Sequence, residues 1–389
     1  MKQTEQHTKK EPLFHIIKRD NISPQKKLVF YIGAIFFGLI IGAVICSLFS
    51  VKNPFDFFTS LFAGALNTPR RVWLLLQDTA LLLGVSLALA PAFRMKFWNL
   101  GGNGQVVMGC LGYVSMMHYL GGKISDYVVM FLGIIVGILA GIIWALIPAI
   151  FKAFFNTNET LFTLMMNYIA SGLVALFITM WLKNGETALP PIEQGVIPQI
   201  GNRYLLTIIL FFLLACMMYA YLKFSKQGYE ISVVGESTNT AKYIGINVRK
   251  VIIRTMIISG AVAGLVGVLL GGAINHTVAT DTASNMGFTA IMTSWLAAFN
   301  PIIMIASCFF ITFVSKGMTQ VGKDFKFTNI AISNIVIGII YFSVIAVTFF
   351  MSYKIVFREG AFDAIKRILT GKKSKNEETD TTPEKEDAQ

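Results

Sequence analysis

The stretch Gly317-Met318-Thr319-Gln320-Val321-Gly322-Lys323-Asp324 has the spacing of a loop that wraps nucleotide phosphates in backbone N–H groups. The last position of such a loop is Ser or Thr, whose hydroxyl holds magnesium, and an Asp there repels phosphate. Asp78, between Gln77 and Thr79, is the most conspicuous acid in an apolar run. An acid at membrane depth is either a functional group or a solvated, hydrogen-bonded structural one. No second carboxylate or histidine follows on a successive run as a proton relay requires, since His7, His15, His118 and His276 are scattered. Cys46, Cys110, Cys216 and Cys308 each stand alone in an apolar run, without the paired spacing of a zinc site or redox dithiol. These residues point to no catalytic centre, metal site or cofactor on this chain.

The elements that carry them are set by hydropathy. Over 389 residues, 54% are apolar and only 14% charged, with a mean hydropathy of +0.63. A soluble chain needs roughly a quarter charged residues to cover its surface, so much of this surface faces lipid. A bilayer core about 30 Å thick is crossed by about 20 helical residues. Apolar runs of about that length are counted at 28–50, 73–91, 103–120, 127–151, 161–182, 204–222, 251–272, 286–299, 301–315 and 330–351. The expected fold is therefore all-α, a polytopic membrane helix bundle of about ten transmembrane helices. The run at 103–120 is crowded with glycine, and those at 286–299 and 301–315 are short and separated only by Asn300-Pro301. Interrupted or re-entrant backbone survives at membrane depth only where protein or a water-filled cavity satisfies it.

Charge orients the bundle. The net +12 sits mostly on the flanks, and lysine and arginine favour the cytoplasmic side. Both ends are accordingly placed in the cytoplasm: a basic leader (1–27), a transmembrane domain (28–351) containing a cytoplasmic loop (223–250), and a tail (352–389) expected to be disordered after about residue 371. Lys316, Lys323 and Lys326 fall outside in this scheme, against the rule. The basic residues alternate with spans too long for core helices, so a nucleic-acid partner is not expected. Glycines at four-residue spacing, Gly38 and Gly42, Gly133, Gly137 and Gly141, and Gly260 and Gly264, suit close helix packing in lipid.

Two places stand out from this background. The interrupted segments near Asn103-Gly104-Gln105 and Met286-Gly287-Phe288 occupy corresponding positions in the two halves, a pattern that often marks a transporter's binding site. In the cytoplasmic loop, Ser237 or Thr238 is placed to cap a short helix that Gly245 ends, so residues 235–245 form either a connector or a docking element.

Here the sequence resembles the permease subunits of bacterial ABC importers for simple sugars, nucleosides and branched-chain amino acids. The loop from Gly235 through Ala241, Tyr243 and Gly245 to Ile246 resembles that family's coupling segment. Phe97-Trp98-Asn99-Leu100-Gly101-Gly102-Asn103-Gly104-Gln105 is similar to its Phe-Asn-Ile-Gly-x-x-Gly-Gln signature. The run from Asn158-Glu159 through Met165 to Asn167-Tyr168-Ile169-Ala170, and Gly287-Phe288-Thr289-Ala290-Ile291, are similar to two further segments. The Asn-Glu and Met-x-Asn-Tyr pattern looks most like the nucleoside-type permeases that work with a basic-membrane-protein-like lipoprotein.

The resemblance implies a chain that moves cargo in the bacterial cell membrane and hydrolyses nothing. Its implied partners are a cytoplasmic ATP-binding subunit docked through Gly235, Glu236, Ala241, Tyr243 and Gly245, a second, unlike permease, and an extracytoplasmic substrate-binding lipoprotein. A nucleoside path wants aromatic faces and amide or hydroxyl groups in an apolar wall. Asn103, Gln105, Asn167, Phe288, Thr289 and Trp295 are residues of those types on the interrupted segments and the fifth run. The competing reading is a proton- or sodium-coupled secondary transporter, against which the lack of buried paired acids counts.

Overall fold

The computed structural model describes residues 14–18, 23–50, 52–182, 189–327 and 331–357. Most of the leader, part of the loop before residue 203 and the tail beyond residue 371 lie outside the described residues. The helices are α1 (Pro24–Leu48), α2 (Pro54–Leu66), α3 (Pro69–Arg94), α4 (Gly102–Leu120), α5 (Asp126–Phe155), α6 (Glu159–Trp181), α7 (Leu205–Phe224), α8 (Lys226–Glu236), α9 (Thr238–Tyr243), α10 (Val248–Leu269), α11 (Met286–Leu296), α12 (Pro301–Asp324) and α13 (Ala331–Ser352). Among the described residues seven helices are long and apolar enough to cross a membrane: α1, α3, α5, α6, α7, α10 with its π-helical continuation, and α12.

The chain divides into two compact units, residues 1–39 with 342–389, and residues 40–341. In the first, β1 (Phe14–Lys18) pairs antiparallel with β2 (Tyr353–Phe357), Ile16 opposite Ile355. This small ribbon is the one sheet among the described residues, which are otherwise helical. Phe-His-Ile-Ile-Lys and Tyr-Lys-Ile-Val-Phe are rich in β-branched and aromatic residues, which suit a pleated strand.

In the second unit α10 packs most extensively against α5, α4 and α3. Glycine makes that possible. A Cβ on Gly109 of α4 would lie 2.6 Å from the Gly264 carbonyl oxygen of α10, and one on Gly141 of α5 would lie 2.5 Å from the Gly260 carbonyl oxygen. Backbones thus touch without intervening side chains, as small residues permit in lipid. α3 is buried along most of its length, whereas Phe131, Leu139 and Ile143 of α5 lie exposed as a lipid-facing surface does.

Two features differ most from the hydropathy count. α2 was not expected, because its 13 residues are too short to span; it buries Phe57, Leu61 and Ala65. α12 runs on to Asp324, past the expected end at residue 315, because Lys316 is paired with Asp78 of α3. A hydropathy count halts at the first charge, but the helix need not when that charge has a partner. The nucleotide-loop-like stretch is therefore the last part of α12, with its backbone N–H groups committed to helical bonds.

Candidate functional site

Between α3 and α4 the chain leaves the helical path from Met95 to Gly101, and side chains from α6 and α10 satisfy it. The Asn167 side-chain oxygen accepts the Gly104 N–H at 2.8 Å, and its Nδ2 donates to the Leu100 carbonyl at 2.9 Å. The Thr163 hydroxyl accepts the Leu100 N–H at 3.1 Å. Asn99, fully buried, accepts from the Gly101 N–H and from Gln105 Nε2, and donates to the Ser259 hydroxyl at 3.2 Å. Interrupted backbone is thus paired within protein, as membrane depth demands.

The second interruption meets the first. The Asn103 side-chain oxygen accepts the Gly287 N–H at 2.7 Å, so the first turns of α4 and α11 abut and both positive dipole ends point to one place. Ser284 and Asn285, with φ of 43° and 57°, turn the chain into α11. Ser86 of α3 and Thr293 of α11 share a buried hydroxyl contact at 2.6 Å, and the Ser307 hydroxyl of α12 donates to the Thr293 carbonyl at 3.2 Å. These bonds fix α11 to its neighbours.

Beside this junction lies a cavity of about 230 Å³, lined by Asn103, Asn167, Tyr168, Ser171, Asp281 and Phe288 among others. Of the sequence-expected path residues it gathers Asn103, Asn167 and Phe288. Gln105 is 1% exposed and turned to Asn99 instead. The Thr289 hydroxyl reaches back to the Asn285 carbonyl at 3.5 Å. Trp295 sits at the far end of α11, its ring 5.7 Å from that of Trp98. Sequence reasoning missed Tyr168, Ser171 and Asp281. Ser171 stands four residues after Asn167, so helical geometry could have shown it to share that face, whereas Tyr168 stands one residue after it and shares a face with Leu164 instead; Asp281 lies in a loop that carries no such period.

At one end of the bundle sit α8 and α9. The short helix expected between a Ser237 or Thr238 cap and the Gly245 stop is α9, and a separate helix, α8, precedes it: the extended backbone of Ser237 (φ −156°) ends α8 and its hydroxyl accepts the Thr240 N–H at 3.2 Å to start α9. The break follows from the Ser237 cap, which stops one helix as it starts the next. Gly245, at φ +82°, closes the turn. Ala241 is buried and Glu236 exposed, while Tyr243 is 95% exposed. A Cβ on Gly235 would run into the Arg94 carbonyl oxygen, so α8 rests directly on the end of α3. Glu230 of α8 pairs with Arg254 of α10 at 2.9 Å. A groove of about 460 Å³ opens beside α8, walled by Lys96, Glu236 and the Lys152–Glu159 pair, itself 2.9 Å apart. Among the described residues no cluster of His, Cys, Asp or Glu could hold a metal ion.

Comparison with known proteins gives the family. A family model described as the permease component of branched-chain amino acid transport systems matches residues 71–345. The nucleoside ABC transporter permease NupB of Lactococcus lactis is 26% identical over 316 residues, covering 77% of this chain and 86% of the relative. The guanosine ABC transporter permease NupP of Bacillus subtilis is 30% identical over 285 residues, covering 71% and 81%. Among solved structures, an inward-facing metal-chelate type ABC transporter aligns with a TM-score of 0.41 at 14% identity, over 83% of this chain and 99% of that one.

Proposed function

The chain belongs to the permease family of branched-chain amino acid transport systems, and from that membership we propose that it carries nucleosides into the bacterial cell. It is a multi-pass ABC permease of the cell membrane, not an enzyme, and ATP is hydrolysed on a separate subunit. The observation that carries the cargo reading is the cavity wall: Phe288 and Tyr168 offer ring faces beside the amides of Asn103 and Asn167 and the hydroxyl of Ser171. A base stacks on such rings while ribose hydroxyls exchange hydrogen bonds with the amides. The nucleoside and guanosine transport named for the two relatives points the same way.

Energy enters through α8 and α9. The ATP-binding subunit docks on exposed Glu236 and Tyr243, held in place by buried Ala241 and the Gly245 turn. Displacement of α8 passes to α3 through the Gly235–Arg94 seat and to α10 through Glu230–Arg254. α3 leads directly into the first interruption, and α10 leads through its continuation and the loop after it to the second, so both walls of the cavity move when α8 moves. A second, unlike permease and a substrate-binding lipoprotein complete the importer.

The α8 end faces the cytoplasm, in keeping with Arg94, Lys96, Lys152, Lys223, Lys226 and Lys250 around it. The pairing of β1 with β2 supports an even number of crossings, since it brings the two ends to one side. Single cysteines near Lys226 should be shielded from an impermeant thiol reagent in intact cells, whereas one near Glu193 should react. Uptake of labelled guanosine by cells expressing the importer tests the cargo: saturable uptake competed by other nucleosides is expected, and uptake competed only by ribose or by amino acids refutes the reading.

A further inference from the structure

Below the cavity the exposed face of α11 continues toward the α8 end. Phe288, Met292 and Trp295, spaced i, i+4 and i+7, are 38%, 39% and 47% exposed and form one stripe. The stripe begins at a residue that lines the cavity and ends about 10 Å further along the helix axis. There Trp98, 41% exposed, faces Trp295 with ring centres 5.7 Å apart and planes tilted by 42°. Phe93 and Phe299 back them, stacked 5.8 Å apart at 5°, and Phe93 also meets Trp98 edge-on at 5.6 Å. Ala298 and Phe299 hold left-handed backbone at φ 48° and 58°, a costly conformation that ends α11 where Phe299 meets Phe93.

The indole N–H groups of this pair differ from those of Trp144 and Trp181. Trp144 donates to the Met166 carbonyl at 3.3 Å and Trp181 to the Tyr119 hydroxyl at 2.9 Å. Among the described residues neither the Trp98 nor the Trp295 indole N–H has a hydrogen-bond partner, although both backbone carbonyls accept. Two half-exposed indoles, braced from behind by packed rings and continuous with a cavity of amides, combine an open stacking face with a free donor.

We propose that Trp98 and Trp295 form a second nucleobase subsite on the transport path, between the cavity and the cytoplasmic end, where a base leaving Phe288 stacks on the open indole faces and the indole N–H groups donate to base or ribose oxygens. This rests on the nucleoside reading above. The subsite favours purines, whose two fused rings cover more indole than a pyrimidine does. Trp98 and Trp295 touch cargo in this account, while Phe93 and Phe299 position them.

The test uses the whole importer, reconstituted with its ATPase subunit and binding lipoprotein. The wild-type complex is irradiated with an azidopurine nucleoside and the labelled peptides are identified. Guanosine and uridine uptake are measured alongside for Trp98→Leu, Trp98→Phe, Trp295→Leu and Trp295→Phe. Label should appear on peptides carrying Trp98 or Trp295 and be competed away by guanosine. The Leu variants should lower guanosine uptake roughly tenfold, the loss of one base–aromatic stack, and lower uridine uptake less. The Phe variants should keep most of it. Label confined to the Phe288 region, together with normal transport by both Leu variants, overturns the subsite and leaves the nucleoside reading standing. Leu variants that are depleted from the membrane but transport normally per molecule also overturn it, in favour of a packing or subunit contact. A wild-type importer that takes up no nucleoside removes both.

Discussion

Asn103 and Gly287 join the two interrupted segments through one hydrogen bond, side-chain oxygen to backbone N–H, at 2.7 Å. Each is the second residue of its helix, so the bond caps α11 from α4. Asn103→Ala removes an acceptor worth about 1 kcal/mol at a helix N-terminus. It should lower nucleoside uptake and the thermal stability of the purified permease, while Asn103→Asp, which keeps an acceptor oxygen, should retain much of both. Unchanged uptake by the Ala variant would take this junction out of the transport path.

The seat of α8 on α3 has no room for a methyl group at Gly235. Gly235→Ala should reduce uptake and weaken co-purification of the ATPase subunit. Gly245→Pro should do the same, because proline is held near φ −65° and the native turn needs +82°. Glu236→Lys reverses an exposed charge without touching the fold, and should reduce ATPase binding while leaving the membrane level of the permease unchanged. Normal co-purification in all three variants would move the docking surface elsewhere.

Gly264 tests packing rather than transport. A leucine there must displace the α5 backbone, since even a Cβ would lie 3.0 Å from the Gly137 carbonyl oxygen. Overpacking of this kind costs ~1–3 kcal/mol or more. The membrane level of Gly264→Leu should fall severalfold, read by quantitative immunoblotting, with little change in uptake per surviving molecule.

The ion pair between Asp78 and Lys316 explains how α12 carries a lysine past the expected end of its span. Asp78→Lys sets two like charges together and should lower the membrane level of the protein; the swap Asp78→Lys with Lys316→Asp should restore it. A swap no better than the single change would show that Asp78 acts otherwise than through this pair.

Much of this fold was legible because lipid imposes a length and a polarity on each helix. Each of the apolar runs overlaps one of the helices. α2 escaped because hydropathy counts spans, and a short helix buried against others has no such signature. Ser237 and Gly245 were readable as cap and stop, since those roles depend on local backbone chemistry. That Ser237 would also end the helix before it depended on α8 being fixed to α3 and α10, which is a tertiary fact. The cavity was half visible for the same reason. Asn103 and Phe288 announce themselves by lying in interrupted segments, whereas Gln105 is of the same type but turns to buried Asn99, a direction that spacing alone does not reveal.

In the proposed mechanism ATP hydrolysed on another subunit drives nucleosides through this chain by way of α8 and α9. It is tested most directly by guanosine uptake into proteoliposomes containing the permease pair, the ATPase subunit and the binding lipoprotein, with ATP supplied at the α8 face. Uptake should require both ATP and the ATPase subunit and persist when proton and sodium gradients are dissipated. Uptake that proceeds without the ATPase subunit and collapses with the proton gradient would contradict ATP-driven import and make this chain a secondary transporter.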